Sequence, residues 1–256
     1  MYIEVDSHTH TIASGHAYSS LGENVAAAAA EGIKLLAITD HGPAMPGSPH
    51  IWFFMNMRVI PRIMDGVKIL RGIEANIVNG EGELDIDDSL HAHLDIVLAS
   101  LHEPVFKPST RSTHTDTVIK AMSSGKIDVF AHGGNPIFPI DVNEVAKAAK
   151  AYNVLVEINN SSFTTSRLGS EKNCTSLAEA VGRHDGRLTF GSDAHIACNV
   201  GRFAECLAFV ARIGFPTERI LSTSCQSFLA FLKEKGKKNL EMLIDTPTSL
   251  DTTGFS

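Results

Sequence analysis

Histidines and carboxylates recur along this chain immediately after short apolar runs, and that recurrence restricts the fold more than any other feature. The clusters are Asp6-Ser7-His8-Thr9-His10, then His16, Thr39-Asp40-His41, Gly72-Ile73-Glu74, Ser100-Leu101-His102, Ala131-His132-Gly133 and Gly191-Ser192-Asp193-Ala194-His195. The runs that precede them, residues 2–5, 35–38, 68–73, 96–99, 129–131 and 188–190, read as buried strands. Candidate ligands spread from residue 8 to residue 195, always at the same end of a strand, converge only if those strands run parallel. The pattern therefore predicts an α/β barrel with a metal site at the C-terminal mouth of its strands, and hydrolysis as its chemistry.

The length of 256 residues suits one such barrel, with no linker or repeat dividing it. A single domain is expected over residues 1–245, followed by a flexible tail at 246–256 that is short, polar and aperiodic. The formal charge of −7 argues against a nucleic-acid partner, which needs a basic face. No apolar stretch is long enough for a membrane helix, and no basic, apolar leader precedes the first strand. The four cysteines form no CxxC pair, so free thiols in the cytoplasm are expected. Cys198, three residues after His195, is a small buried thiol in the plainer reading and a ligand in the sharper one.

Strands and helices alternate along the chain. Five alanines (26–30) fill an expected helix at 24–32 that stops at Gly32. Further helices are expected at 115–123, 142–151, 175–184, 203–213 and 227–235, and a further strand at 154–158. Seven strands result, giving a distorted (β/α)7 TIM-like barrel, with residues 220–221 as an optional eighth. Residues 43–64 carry Trp52, Phe53 and Phe54 in an apparent loop; they suit either a cover packed on the barrel or, in the sharper reading, an active-site lid or a subunit contact.

Nine residues are the candidate ligands: His8, His10, His16, His41, Glu74, His102, His132, Asp193 and His195. With Glu74 bridging they make about ten bonds, which over-fills two ions and leaves three with open positions for water and substrate. Zinc suits this donor set, and manganese is the alternative. Asp6 and Asp40 adjoin the clusters and are expected to orient imidazoles, with general-acid duty as their other reading. His50, His91, His93, His114 and His184 lie away from the ends of expected strands and are left out.

These motifs together resemble those of the PHP (polymerase and histidinol phosphatase) superfamily over roughly residues 1–240, most closely the YcdX-type bacterial phosphatases. The resemblance implies a trinuclear zinc site, phosphoesterase activity and a homo-oligomer, a trimer in particular. Carried over residue by residue, it places His8, His10, Glu74 and Asp193 on one ion. Glu74, His102 and His132 hold a second, and His16, His41 and His195 a third.

The expected function is hydrolysis of a small phosphorylated metabolite, a phosphomonoester, by a metal-bound hydroxide nucleophile. Glu74, Asp193 and His195 would serve catalysis as ligands, and Arg167 and Arg202 would grip the phosphate. Three rivals remain. An amidohydrolase would want a strand-end lysine where Glu74 stands, and a nuclease would want a basic stripe. A metal-storing protein would saturate its ions.

Overall fold

A computed structural model describes residues 1–238 and 240–245; the expected tail at 246–256 lies outside the described residues. The elements run β1 (Val5–Asp6), α1 (Leu21–Ala30), β2 (Leu35–Ile38), α2 (Ile51–Met55), β3 (Ile63–Met64) and β4 (Val67–Asn76). Then come α3 (Asp88–His91), β5 (Ile96–Ser100), α4 (Arg111–Ser123), β6 (Val129–Phe130), α5 (Val142–Ala151) and β7 (Leu155–Asn159). The chain closes with α6 (Ser170–Arg183), β8 (Leu188–Gly191), α7 (Ala204–Ile213), α8 (Cys225–Glu234) and α9 (Glu241–Asp245).

Seven strands run parallel in the order β1-β2-β4-β5-β6-β7-β8, as the sequence predicts. β2, β5, β7 and β8 are buried throughout, because the outer helices cover one face and the barrel interior the other. The ring closes at its mouth, where Asp193 N–H donates to His8 O at 2.9 Å and His10 N–H to Ala194 O at 3.0 Å. At the base a different segment fills the seam. Ile220 bridges Leu188 in parallel, and Glu4 N–H donates to Ser222 O at 2.9 Å. The optional eighth strand is thus a single bridge that turns at once into a 3-10 helix, Leu221–Thr223.

Several boundaries differ from expectation. α1 begins at Leu21 because Ser20 and Glu23 form a reciprocal capping box. Thr110 caps α4 and starts it at Arg111, four residues earlier than expected. β3 was not expected; it forms a hairpin with β4 through Asp65 and Gly66, both at positive φ.

Inward positions change character along each strand, since every second residue faces the interior. On β4 Leu70 belongs to the inner apolar cluster while Glu74 stands at the mouth; on β7 Leu155 is followed by Glu157 and Asn159. Phe228, Leu229 and Leu232 of α8 join that inner cluster and plug the base. The interior is therefore a packed core below and a polar site above.

The segment 43–64 divides. Phe54 and Met57 are buried in the core outside the barrel, whereas Trp52 is 77% exposed. Trp52 shares a groove with Val59 and His93, on the flank rather than over the mouth. Its aromatic part is therefore no lid, because α2 packs against β4 and α3 in the place of an outer helix. Among the described residues no helix is long and apolar enough to cross a membrane.

Candidate metal centre

Glu74, near the C-terminal end of β4 at the mouth, is fully buried at the centre of the cluster. Its Oε1 lies 2.7 Å from His132 Nε2 and 3.3 Å from His102 Nε2, and accepts from Ser100 Oγ at 2.9 Å. Its Oε2 lies 2.8 Å from His41 Nδ1, 3.3 Å from His8 Nε2 and 3.4 Å from His10 Nε2. None of those three approaches has hydrogen-bond geometry, so Glu74 Oε2 is a buried acceptor without a donor. His10 Nε2 is also 3.2 Å from Asp193 Oδ1. His195 packs its ring 4.3 Å from that of His10, and His16 packs 4.9 Å from both His41 and His195 at the outer edge. All nine predicted ligands are thereby brought into one cluster.

The remaining ring nitrogens explain the orientation of four imidazoles. His8 Nδ1 donates to Glu157 Oε1 at 2.7 Å, and His102 Nδ1 to Asn76 Oδ1 at 2.8 Å. His195 Nδ1 donates to the carbonyl of Asp193 at 3.0 Å. His10 Nδ1 donates to Ser14 Oγ at 3.0 Å, since the Ser14 hydroxyl proton is committed to Asp40 Oδ1 at 2.7 Å. In the neutral form of each ring, Nδ1 therefore carries the proton and Nε2 presents a lone pair. His8 Nε2 and His10 Nε2 face one another at 3.0 Å as two acceptors, an arrangement that calls for a cation between them.

Charge makes the same demand. Glu74, Glu157 and Asp193 are buried, and among the described residues Arg167, ion-paired with Asp193 Oδ2, is the guanidinium that reaches them. Three carboxylates against one guanidinium leave two negative charges to be balanced. Burial pushes Glu74 up, but His102, His8 and His41 hold it well below its ordinary range. Burial likewise opposes ionisation of Asp193, and Arg167, His8 and His10 overcome it. His8 is pushed down by burial yet held well above its ordinary value by Glu157, Glu74 and Asp193. The field that attracts a proton there attracts a metal ion equally. Burial and then Arg167 bring His132 down to about 4, so that imidazole is neutral at ordinary pH.

Backbone strain gathers at the same place. His132, Arg167 and Asp193 all have positive φ (59°, 51° and 54°), a conformation that L residues adopt only when their surroundings impose it. Gly191 is required here, because a β-carbon would run into Glu157 Oε1 and His8 Cβ.

Other expectations fare variously. Arg167 reaches the cluster, with Nε donating to Ser162 Oγ at 3.0 Å and Nη2 to Asn159 Oδ1 at 3.1 Å. Arg202 does not; it pairs with Glu31 at 3.3 Å, beside the C-terminal end of α1 and the opposite mouth. Asp40 orients His10 through Ser14, whereas Asp6 accepts backbone N–H groups from Ser192 and Gly201 at 3.0 and 2.9 Å and touches no imidazole. Cys198 is exposed and lies against Asn199, and His114 bonds Pro139 O at 3.0 Å. Sequence reasoning missed Glu157, Asn76 and Ser14. Only Glu157 left a trace, as a lone charge inside an apolar strand.

The PHP domain model matches residues 6–161. A probable phosphatase of Shewanella loihica is 52% identical over 237 residues, covering 93% of this chain and 96% of that protein. A probable phosphatase of Aeromonas hydrophila is 49% identical over 245 residues, 96% of this chain and the whole of the relative. Among solved structures, the histidinol phosphate phosphatase of Lactococcus lactis, crystallised with zinc, L-histidinol and phosphate, superposes with a TM-score of 0.56. It shares 16% identity and covers 84% of this chain and 95% of its own, which speaks to the fold.

Proposed function

Because the chain belongs to the PHP domain family, we propose that it is a metal-dependent phosphatase that hydrolyses a small phosphomonoester. One observation carries the metal half of this reading: four imidazoles are each held by an Nδ1 partner, and the Nε2 atoms of His8 and His10 lie 3.3 and 3.4 Å from the donorless Glu74 Oε2 while that of His102 lies 3.3 Å from Oε1. The relatives carry the phosphatase half.

The donor set fits zinc, with manganese as the alternative, and fits three ions better than two. His8, His10, Glu74 and Asp193 would hold one ion, Glu74, His102 and His132 a second, and His16, His41 and His195 a third. The proximity of three such groupings, His8–His10–Asp193, His41–Glu74–His102 and His10–His41–His195, supports that number. His41 stands close enough to Glu74 to contribute to either of two ions. When bound, the ions supply activation of water and neutralisation of phosphoryl charge.

The chain's own residues supply the rest. Glu157, Ser14 and Asn76 hold the imidazole rings in the orientation a ligand needs. Arg167 spends Nε and Nη2 on Ser162, Asn159 and Asp193, leaving Nη1 for a phosphoryl oxygen. Its pairing with Asp193 raises its own pKa despite burial, so it stays charged. Trp52 and Val59, exposed on the flank, suit the contact of a homo-oligomer, the trimer of the family resemblance included.

The test is reconstitution. Protein stripped with a chelator should not hydrolyse an aryl phosphate, and should recover activity with zinc or manganese as bound metal rises towards three per chain. Full activity in stripped protein, or a count that stays at or below one, would sink this reading.

A further inference from the structure

We infer that Asp85, a residue outside every ligand cluster, is a positioning residue for the His102 corner of the site. The inference rests on the metal reading of the cluster and goes beyond it.

The chain leaves β4 at Asn76, makes an antiparallel excursion bridged by Ile77 and Leu84, and returns to the mouth at Asp85. The Asp85 carboxylate meets three N–H donors there. Asn76 N–H donates to Oδ1 at 2.8 Å, and Ala44 N–H and Asn76 Nδ2 donate to Oδ2 at 2.9 and 2.6 Å. The other Asn76 Nδ2 hydrogen points to Gly42 O at 3.2 Å.

Both hydrogens of the Asn76 amide are thus claimed by groups that only accept. Asn76 Oδ1 is left with one direction, and it faces His102 Nδ1 at 2.8 Å. An oxygen there obliges His102 to keep its proton on Nδ1. Its Nε2 lone pair then faces Glu74 Oε1, 3.3 Å away. Reversing the amide would put an N–H against Nδ1 and send the proton to Nε2, the nitrogen a metal needs bare. The choice between the two is made by the carboxylate of Asp85, which takes the shorter of the two amide hydrogen bonds, with Gly42 O in support.

The same carboxylate reaches His41. Ala44 N–H and Gly42 O both belong to the turn that follows His41, and both are fastened to the Asp85–Asn76 pair. A β-carbon on Gly42 would run into Asp85, so the turn sits directly on the carboxylate. His41 and His102 flank Glu74 in one ligand grouping. One side chain therefore sets the tautomer of one imidazole and the backbone position of another.

Asp85→Asn tests this with almost no change of volume. An asparagine offers one oxygen to three donors, so its own amide group faces an N–H in either orientation. Zinc titration of the stripped proteins should show one class of ion weakened by about 10- to 100-fold in the variant, with the others unchanged. Raised free zinc should restore its turnover, a rescue that a purely structural defect would not show. Asn76→Ala, which removes the acceptor and leaves Ala44 alone, should weaken the same ion and serves if Asp85→Asn fails to fold. Asp87→Asn, at the cap of α3, is the control and should bind zinc as the unaltered protein does. If both Asp85→Asn and Asn76→Ala titrate like the unaltered protein, the inference is overturned alone. If the unaltered protein binds no zinc, the metal reading falls and this inference with it.

Discussion

Glu157 Oε1 lies 2.7 Å from His8 Nδ1, and both side chains are fully buried. A carboxylate behind a ligand imidazole fixes the tautomer and makes the opposite nitrogen a better donor to metal. Glu157 also accepts from Asn159 Nδ2 at 3.0 Å, so both of its oxygens are used. Glu157→Gln would face one of these donors with another donor. The variant should fold and lose about 10- to 100-fold in affinity for the ion nearest His8. Zinc titration of chelator-stripped protein measures it, and an unchanged curve would refute the orienting role.

Glu74→Gln should stop turnover. The carboxylate has an oxygen towards His132 and His102 and the other towards His8, His10 and His41, and a neutral amide bridges cations poorly. We expect kcat to fall by at least about 100-fold, with the bound-metal count reduced and the circular dichroism unchanged. Normal hydrolysis of an aryl phosphate would remove Glu74 from the bridging position.

Arg167→Ala separates two duties. If Arg167 grips substrate, KM for a phosphomonoester should rise and kcat/KM fall by about 100-fold while metal content holds. Loss of an ion instead would mean that Arg167 serves mainly to hold Asp193, its ion-pair partner.

Stripped of metal, the protein should lose stability as acid is added. His132 has an ordinary value of 6.5 and a folded value of about 4. Its folded pKa is depressed, so its contribution is complete above 6.5 and drains away as pH falls towards 4. His10 and His16 shift in the same direction, whereas His8 is raised and opposes them. His132 alone accounts for up to about 3 kcal/mol across that window. Thermal midpoints of stripped protein and of His132→Asn, read from pH 7 to 4, should converge at the acid end. Parallel curves would contradict the shift.

The candidate ligands were legible because, His16 apart, each stands at or just beyond the end of an apolar run, so that register and strand end together suggest where it points. Glu157, Asn76 and Ser14 were not, for a physical reason. Glu157 stands inside a strand, and nothing local distinguishes an inward carboxylate from one that reaches solvent; Asn76 and Ser14 matter only through the imidazoles they meet in space. The β3 hairpin had its signal in Asp65-Gly66, which an apolar segment around it obscured. Arg202 follows a strand like Arg167, yet Gly201 N–H donates to Asp6 and the chain turns down the flank, against Glu31 and Ile33. No spacing rule reports such a turn.

The seam between β8 and β1 has a bearing on the order of events in the cell. β1 pairs with β2 on one side, but its other side is met only by β8, and residues 220–222 complete the join at the base. During synthesis, His8 and His10 leave the ribosome long before Asp193 and His195, their companions across the seam. The early part of the chain cannot close a ring, and the contacts that do so are among the most distant in the sequence. The nine candidate ligands can stand together only in a chain that has been made and folded past residue 195, so the cluster itself marks a closed barrel.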